Sequence, residues 1–191
     1  MKLVGEELVS FSLSFALWPI DPVTGRVVPH ALDARIAALQ RSATRNGSGH
    51  CCFVDLPLGA HRVTITPARG FEGAFLPQEL TVVLPMPLGT PVVEFTLFPS
   101  PSYAFPPGAT LVLGQVRDAV GAPLEGALLE VDARPERGRS SRNGAFALAL
   151  DTTSDLLAAT LRASASSGAS GAVVLDLLHG QRTNVGVLSI S

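Results

Sequence analysis

Val9-Ser10-Phe11-Ser12-Leu13-Ser14-Phe15-Ala16-Leu17 alternates apolar with small residues almost without a break. A period of two sends successive side chains to opposite faces, so the stretch reads as a half-buried β-strand. Leu111-Val112-Leu113-Gly114-Gln115-Val116-Arg117 is its counterpart farther along the chain. Val131 to Ala133, Ala145 to Leu150 and Val185 to Ile190 read as later strands, with Asn143-Gly144 as a turn ahead of Phe146. Ala31 to Gln40 places Leu32, Ile36 and Leu39 at near-helical spacing, but it occupies the place of the strand at Leu128 to Val131 and is expected to be extended. Short strands punctuated by 18 Gly and 15 Pro predict an all-β sandwich architecture.

The counterparts belong to a repeat. Asp21-Pro22-Val23-Thr24-Gly25 returns in weaker form as Asp118-Ala119-Val120-Gly121, and Thr44-Arg45-Asn46-Gly47 returns as Ser141-Arg142-Asn143-Gly144. Asp21 to Asp118 and Arg45 to Arg142 are both steps of 97 residues. Val82-Val83-Leu84 and Val173-Val174-Leu175 match at a step of 91, as a shortened loop in the second copy requires. The period is far longer than the roughly 20–50 residues of a solenoid unit, so each copy is expected to hold its own core. The predicted organisation is an N-terminal β-sandwich over 1–98, a Pro/aromatic linker over 99–108 and a second sandwich over 109–191, in tandem and antiparallel.

Composition narrows the partners. The net charge of −2 supplies no field for nucleic acid or an anionic membrane. Charged residues are 16% against 47% hydrophobic, where about 25% charged is usual, so apolar surface covered by other protein subunits or by self-association is expected. Every apolar run is broken before it could span a bilayer, so membrane insertion is not expected. Glu6 and Glu7 follow Lys2 directly and no secretory signal is read. The expected location is the cytoplasm, or a particle assembled there.

The only cysteines, Cys51 and Cys52, are neighbours and read as two reduced thiols. A hairpin looping through Pro57-Leu58-Gly59-Ala60 would set Leu56 against His61 and Asp55 against Arg62. Cys52, Val54, Val63 and Ile65 would then face the core, with Cys51 and Phe53 outside.

The connector Phe98-Pro99-Ser100-Pro101-Ser102-Tyr103-Ala104-Phe105-Pro106-Pro107-Gly108 holds four prolines and three of the chain's eleven aromatic residues. Prolines predict a semi-rigid, extended link. Phe98, Tyr103 and Phe105 are too apolar for a solvated spacer and are candidates for a protein interface, or for glue between the two sandwiches. Arg134, Arg137, Arg139 and Arg142 form the one charged cluster; it reads as a solvated loop or as a contact for an acidic partner.

Gly114-Gln115-Val116, then Asp118-Ala119-Val120-Gly121-Ala122-Pro123-Leu124-Glu125-Gly126-Ala127, then Ser140-Ser141-Arg142-Asn143-Gly144-Ala145-Phe146 together resemble a carboxypeptidase regulatory-like domain, a transthyretin-like β-sandwich. The likeness spans about 40 residues, and the first copy is a degenerate relative that keeps Asp21, Gly25 and Arg45-Asn46-Gly47. The resemblance implies an accessory or scaffold module, of the kind found beside enzymes, in surface proteins and in multi-subunit particles such as phage-tail-like contractile injection systems.

No constellation for catalysis is read. His30, His50, His61 and His179 lack metal-ligand spacing with each other or with the cysteines, so neither metal nor cofactor is expected. His30-Ala31-Leu32-Asp33 is similar to the opening motif of hydroxyisourate hydrolases, but their Tyr-Arg-Gly-Ser ending is missing from Leu188-Ser189-Ile190-Ser191. Lys2 is the sole lysine, ahead of the first strand, which excludes a Lys–Asn isopeptide bond from the second copy. Neither a Gly-x-Ser-x-Gly elbow nor a Gly-x-x-x-x-Gly-Lys loop occurs. The expectation is a non-enzymatic structural or protein-interaction subunit of a larger assembly. The alternative is a carbohydrate- or peptide-binding accessory module acting through sandwich-end loops, with Trp18 and Tyr103 as its only tryptophan and tyrosine.

Overall fold

The computed structural model describes residues 12–87 and 89–191, so the beginning of the strand read from Val9 lies outside the described residues. Strands of the first half are β1 (Leu13–Ile20), β2 (Leu32–Ile36), β3 (Arg41–Ser42), β4 (Thr44–Arg45), β5 (Cys51–Val54), β6 (Gly59–Pro67), β7 (Gln78–Leu84) and β8 (Val92–Thr96). Those of the second are β9 (Thr110–Arg117), β10 (Leu128–Val131), β11 (Arg137–Arg139), β12 (Ala145–Leu150), β13 (Leu156–Ser164), β14 (Ser170–Leu177) and β15 (Arg182–Ser189). The ambiguous segment from Ala31 is extended as β2, flanked by single 3-10 turns at Pro29–Ala31 and Ala37–Leu39.

Four sheets pair off into two sandwiches. In the first half the strand orders are β4-β5-β1-β8 and β3-β2-β6-β7; in the second they are β12-β9-β15 and β11-β10-β13-β14. Leaving out β4, the orders are the same strand for strand, with β1 answering to β9 and β8 to β15. Phe15, Leu17, Ile36, Phe53, Val63, Ile65 and Leu97 fill one core. Val112, Leu129, Phe146, Leu148, Leu161 and Leu177 fill the other. Alternation does this locally: β2 reads buried-exposed-buried-exposed-buried because its two faces meet core and solvent.

The sheets are not purely antiparallel as expected. β8 runs parallel to β1, and β15 runs parallel to β9. In each half the final strand crosses over from the opposite sheet and so reaches its partner from the same end. Its closing hydrogen bond repeats as well, from Leu97 N to Ile20 O at 2.9 Å and from Ile190 N to Arg117 O at 2.9 Å.

The turn motifs recur with small slips. Asp21 and Asp118 each take an amide two residues on with their side chain, Val23 N at 2.9 Å and Val120 N at 3.0 Å. Each turn closes on a left-handed glycine, Gly25 or Gly121. Asn46-Gly47 and Asn143-Gly144 sit in the same connection, but the backbone aligns Asn46 with Ser141. Asn46 N bonds His50 O and Gly49 N bonds Asn46 O, while Ser141 N bonds Ala145 O and Gly144 N bonds Ser141 O. Gly49, with φ of 85°, is therefore the partner of Gly144, with φ of 77°. Val82 likewise pairs structurally with Leu175, two positions from the sequence match, because β7 pairs β6 and β14 pairs β13 in that register. An even slip keeps the same face inward.

The proposed hairpin between β5 and β6 does not form. β5 pairs with β1 and β4, whereas β6 pairs with β2 and β7 in the opposite sheet. The chain changes sheets at Asp55, left-handed at φ of 51°, and Ser14 Oγ takes the Leu56 amide at 2.9 Å. With Phe53 set against Phe15, the faces of β5 reverse: Cys51 and Phe53 are buried and Cys52 is half-buried outside. Val63 and Ile65 do face the core. The larger side chain, Phe53, decides the parity, since its burial outweighs that of a single thiol.

The register exposes an exchange of volume between the two cores. Leu17 lies across from Cys51 in the first, and Gly114 across from Phe146 at the matching place in the second. A Cβ on Gly114 would sit 2.7 Å from Val185 Cγ2 and 3.0 Å from Phe146 Cε1. Large-small became small-large across one strand pair.

Candidate protein interface

The connector does not stand away from the protein. Phe98 O accepts from Leu76 N at 2.8 Å and Ser100 N donates to Ala74 O at 2.9 Å, which seats it along the first sandwich. Tyr103 lies 5.5 Å from the Phe75 ring and 4.8 Å from Phe105. Its hydroxyl donates to Asp21 Oδ2 at 2.6 Å. Asp21 is 3% exposed and also accepts from Val23 N and Thr24 Oγ1, so its carboxylate is satisfied without a cation. Burial, then the hydrogen bond to Asp21 and its charge, push the Tyr103 hydroxyl far above the ordinary tyrosine range. A phenol that finds a buried carboxylate folds the connector back, which proline content alone does not reveal.

The four arginines are dispersed by their own partners. Arg134 pairs with Glu136 at 2.7 Å and caps the Asp151 carbonyl. Arg137 pairs with Glu130, and the Arg139 guanidinium stacks 4.8 Å over the Phe98 ring. Arg142 is exposed. Only Arg139 and Phe98 are brought together from the two sets of candidate residues, and they join the halves. Burial pushes the Glu136 carboxyl up, but hydrogen bonds from Arg134 and the Asp151 amide, with the Arg134 charge, outweigh it and hold the carboxyl below its usual range.

A cleft of about 860 Å³ runs between the sandwiches. Val23, Thr96, Phe98 and Pro106 line one wall, and Ala147, Ala149 and Asp151 the other. The second wall is the outward face of β9 and β12, where Leu111 and Ala147 are each 1% exposed although they point away from their own core. The matching outward face of β1 and β5 carries Ala16, Trp18, Cys52 and Val54, with Trp18 stacked 4.5 Å from His50. Sequence reading passed over this face because its members stand at the polar phase of an alternating strand; the signal available was apolar residues in both phases of Phe15 to Trp18, which marks a strand covered on both sides.

The remaining chemistry is structural. His61 Nε2 is 2.7 Å from Pro57 O, His50 lies against Trp18, and His30 is exposed. Among the described residues no three His, Cys, Asp or Glu side chains gather as a metal site. Ala31 and Leu32 of the hydrolase-like motif lie in the first core, and Asp33 pairs with Arg45 at 3.1 Å. Among the described residues no helix is long and apolar enough to cross a membrane.

Fold and surface together define a tandem β-sandwich protein. No protein-family model matches the sequence and no curated protein matches it, so the carboxypeptidase regulatory-like assignment stands on motif resemblance. Solved structures with distant similarity include the shaft pilin SpaA from Lactobacillus rhamnosus GG, at 12% identity over 95% of this chain and 98% of that one, TM-score 0.31. The minor pilin GBS52 of Streptococcus agalactiae is 11% identical over 93% of this chain and 97% of that one, TM-score 0.31. The Bacillus anthracis TIE protein is 13% identical over 94% of this chain, TM-score 0.32, and this chain spans only 34% of its length. Likenesses this distant assign neither activity nor partner.

Proposed function

We propose that this chain is a non-catalytic structural subunit that works by contact with other protein subunits. The observation that carries the reading is its surface: among the described residues eleven large hydrophobic side chains are more than a third exposed, from Val92 at 37% to Val120 at 88%. A chain with so little charge keeps such a surface covered in its working state. Of its six buried polar residues among those described, Asp21, Ser140 and Thr110 serve turns and strand ends within the fold. Phage-tail-like particles are one setting, brought in by resemblance alone; the chain's own chemistry fits any assembly that offers apolar, weakly charged surfaces.

The test is gentle cross-linking in the producing cell, followed by sizing and identification of what is joined. Recovery in a complex of fixed stoichiometry is expected. A freely monomeric chain that binds an oligosaccharide or peptide tightly at its end loops would replace this reading with that of an accessory binding module.

A further inference from the structure

Arg45-Asn46-Gly47 and Arg142-Asn143-Gly144 are the same three residues, set in the same connection of the two sandwiches. Asparagine is thermolabile, and most so before glycine, where no side chain obstructs the nitrogen that follows it. Identical triplets give the two sites the same intrinsic chemistry. The fold treats them differently.

Both asparagine side chains bend back onto their own backbone. Asn46 Oδ1 accepts from Ser48 N at 3.0 Å and from His50 N at 2.9 Å. Asn143 Oδ1 accepts from Ala145 N at 3.2 Å and from the Ser141 hydroxyl at 2.7 Å. In each, the ring closed by the amide two residues on contains both the side-chain amide carbon and the glycine nitrogen. The glycines then part company. Because Asn46 aligns with Ser141, Gly47 is the exposed second residue of its turn, whereas Gly144 is the buried fourth residue of the other. Gly144 N donates to Ser141 O at 2.8 Å, and Gly144 O accepts from Val116 N at 2.8 Å. A Cβ on Gly144 would sit 2.5 Å from Val116 O. A Cβ on Gly47 would meet nothing within 4 Å, and among the described residues no hydrogen bond holds the Gly47 amide.

We infer that Asn46 is a site of spontaneous deamidation in the folded protein, and that the fold protects Asn143. The Gly47 nitrogen gives its proton to hydroxide and attacks Asn46 Cγ. The N–Cγ bond forms and the Cγ–Nδ2 bond breaks, with Nδ2 taking a proton from water and leaving as ammonia. A second water opens the resulting succinimide at either carbonyl, giving aspartate or isoaspartate. Negative charge that develops on Oδ1 during the attack meets the Ser48 and His50 N–H groups, donors already in place. At the other site the nucleophile must first leave Ser141 O and turn within a clamped backbone, so the reacting atoms are seldom aligned.

The products differ in what they do to the turn. Aspartate keeps an oxygen acceptor for both amides. Isoaspartate routes the main chain through Cβ and Cγ, which lengthens the turn between β4 and β5 by one carbon. Either product adds one negative charge beside Arg45, in a chain whose net charge is −2. The age of the molecule is thereby written as charge on the first sandwich, whatever its partners are.

The full chain, aged in warm, mildly alkaline buffer and then digested, is followed by mass at both Asn-Gly peptides, with isoaspartate detected by enzymatic methylation. The Asn46 peptide is expected to gain one mass unit at least about tenfold faster than the Asn143 peptide. Unfolded in guanidinium chloride, the two are expected to react at matching rates. Gly47→Ala, which has room for its methyl group, should slow the reaction at Asn46 and leave Asn143 unchanged. Asn46→Ser places there the residue found at the matching turn position, Ser141, and should abolish the gain in that peptide. Equal rates in the folded chain, a faster Asn143, or an Asn46 that reacts only after unfolding overturns the inference. A difference that survives unfolding overturns it too, because sequence rather than fold would then set the rates.

Discussion

Exchanging the cross-strand pair Gly114 and Phe146 for the Leu17 and Cys51 pair of the other core measures how far the two sandwiches are one design. Gly114→Leu alone brings a Cβ to 2.7 Å from Val185 Cγ2, 2.9 Å from the Gly186 carbonyl oxygen and 3.0 Å from Phe146 Cε1. Overpacking of that kind costs about 3 kcal/mol. Phe146→Cys alone removes most of a ring that is 1% exposed; by analogy with Phe→Ala changes, the cost is roughly 3–4 kcal/mol. Simple addition gives a loss on the order of 6 kcal/mol, enough to unfold many small domains outright. If the volumes compensate, the double variant should recover about 2 kcal/mol of that sum. Recovery is partial because the leucine gains the space of the ring but still meets Val185 and the immobile Gly186 carbonyl. Urea unfolding followed by far-UV circular dichroism reports both halves, and the fluorescence of Trp18, the only tryptophan, reports the first half by itself. An unchanged fluorescence transition locates the loss in the second core. Costs that add to within about 0.5 kcal/mol would refute the pairing.

The cysteine assignment is checked with a thiol reagent: Cys52 should react in the native protein and Cys51, 4% exposed, only on unfolding. Cys51→Ala should cost on the order of 1 kcal/mol and Cys52→Ser less than about 0.5 kcal/mol. Tyr103→Phe should cost about 1–2 kcal/mol by taking a donor from the buried Asp21 carboxylate. Because folding raises the Tyr103 ionisation, its contribution is whole below the ordinary tyrosine value of about 10 and is lost as pH climbs above it. A melting profile in alkali that is the same for wild type and Tyr103→Phe would contradict the hydrogen bond. Glu136 is the opposite case: folding lowers its ionisation, so its contribution is whole above the unfolded value near 4.3 and is lost as pH falls through the folded one. Glu136→Gln should therefore lower stability at neutral pH and flatten the acid limb; an unchanged acid limb would show that the Arg134–Glu136–Asp151 clamp is idle.

Strand content, the repeat and the turn chemistry were legible in the chain because each is written locally. A period of two in Leu13 to Leu17 and a short apolar run opening Leu111 to Val116 read as strands, and an Asp followed by a left-handed glycine reads as a turn. The pairing of strands was not legible, because Cys51 to Val54 and Gly59 to Pro67 are adjacent in sequence yet belong to opposite sheets. Nothing local distinguishes a hairpin from a crossing between sheets; the burial of Phe53 against Phe15 settled it and reversed the two cysteines with it.

The same division holds at the surface. Sequence by itself determined that this protein carries more apolar residues than charge can cover, and that aromatic rings cluster in its connector. Only tertiary structure decided where those residues are spent. Tyr103 and Phe105 turn back onto the first sandwich because Asp21, 82 residues away, offers a buried acceptor. Leu111 and Ala147 are each 1% exposed on the outward face of β9 and β12, while Trp18 and Cys52 on the equivalent face of β1 and β5 stay half-buried. Apolar content is a property of residue types, but its burial depends on which surfaces the fold brings together.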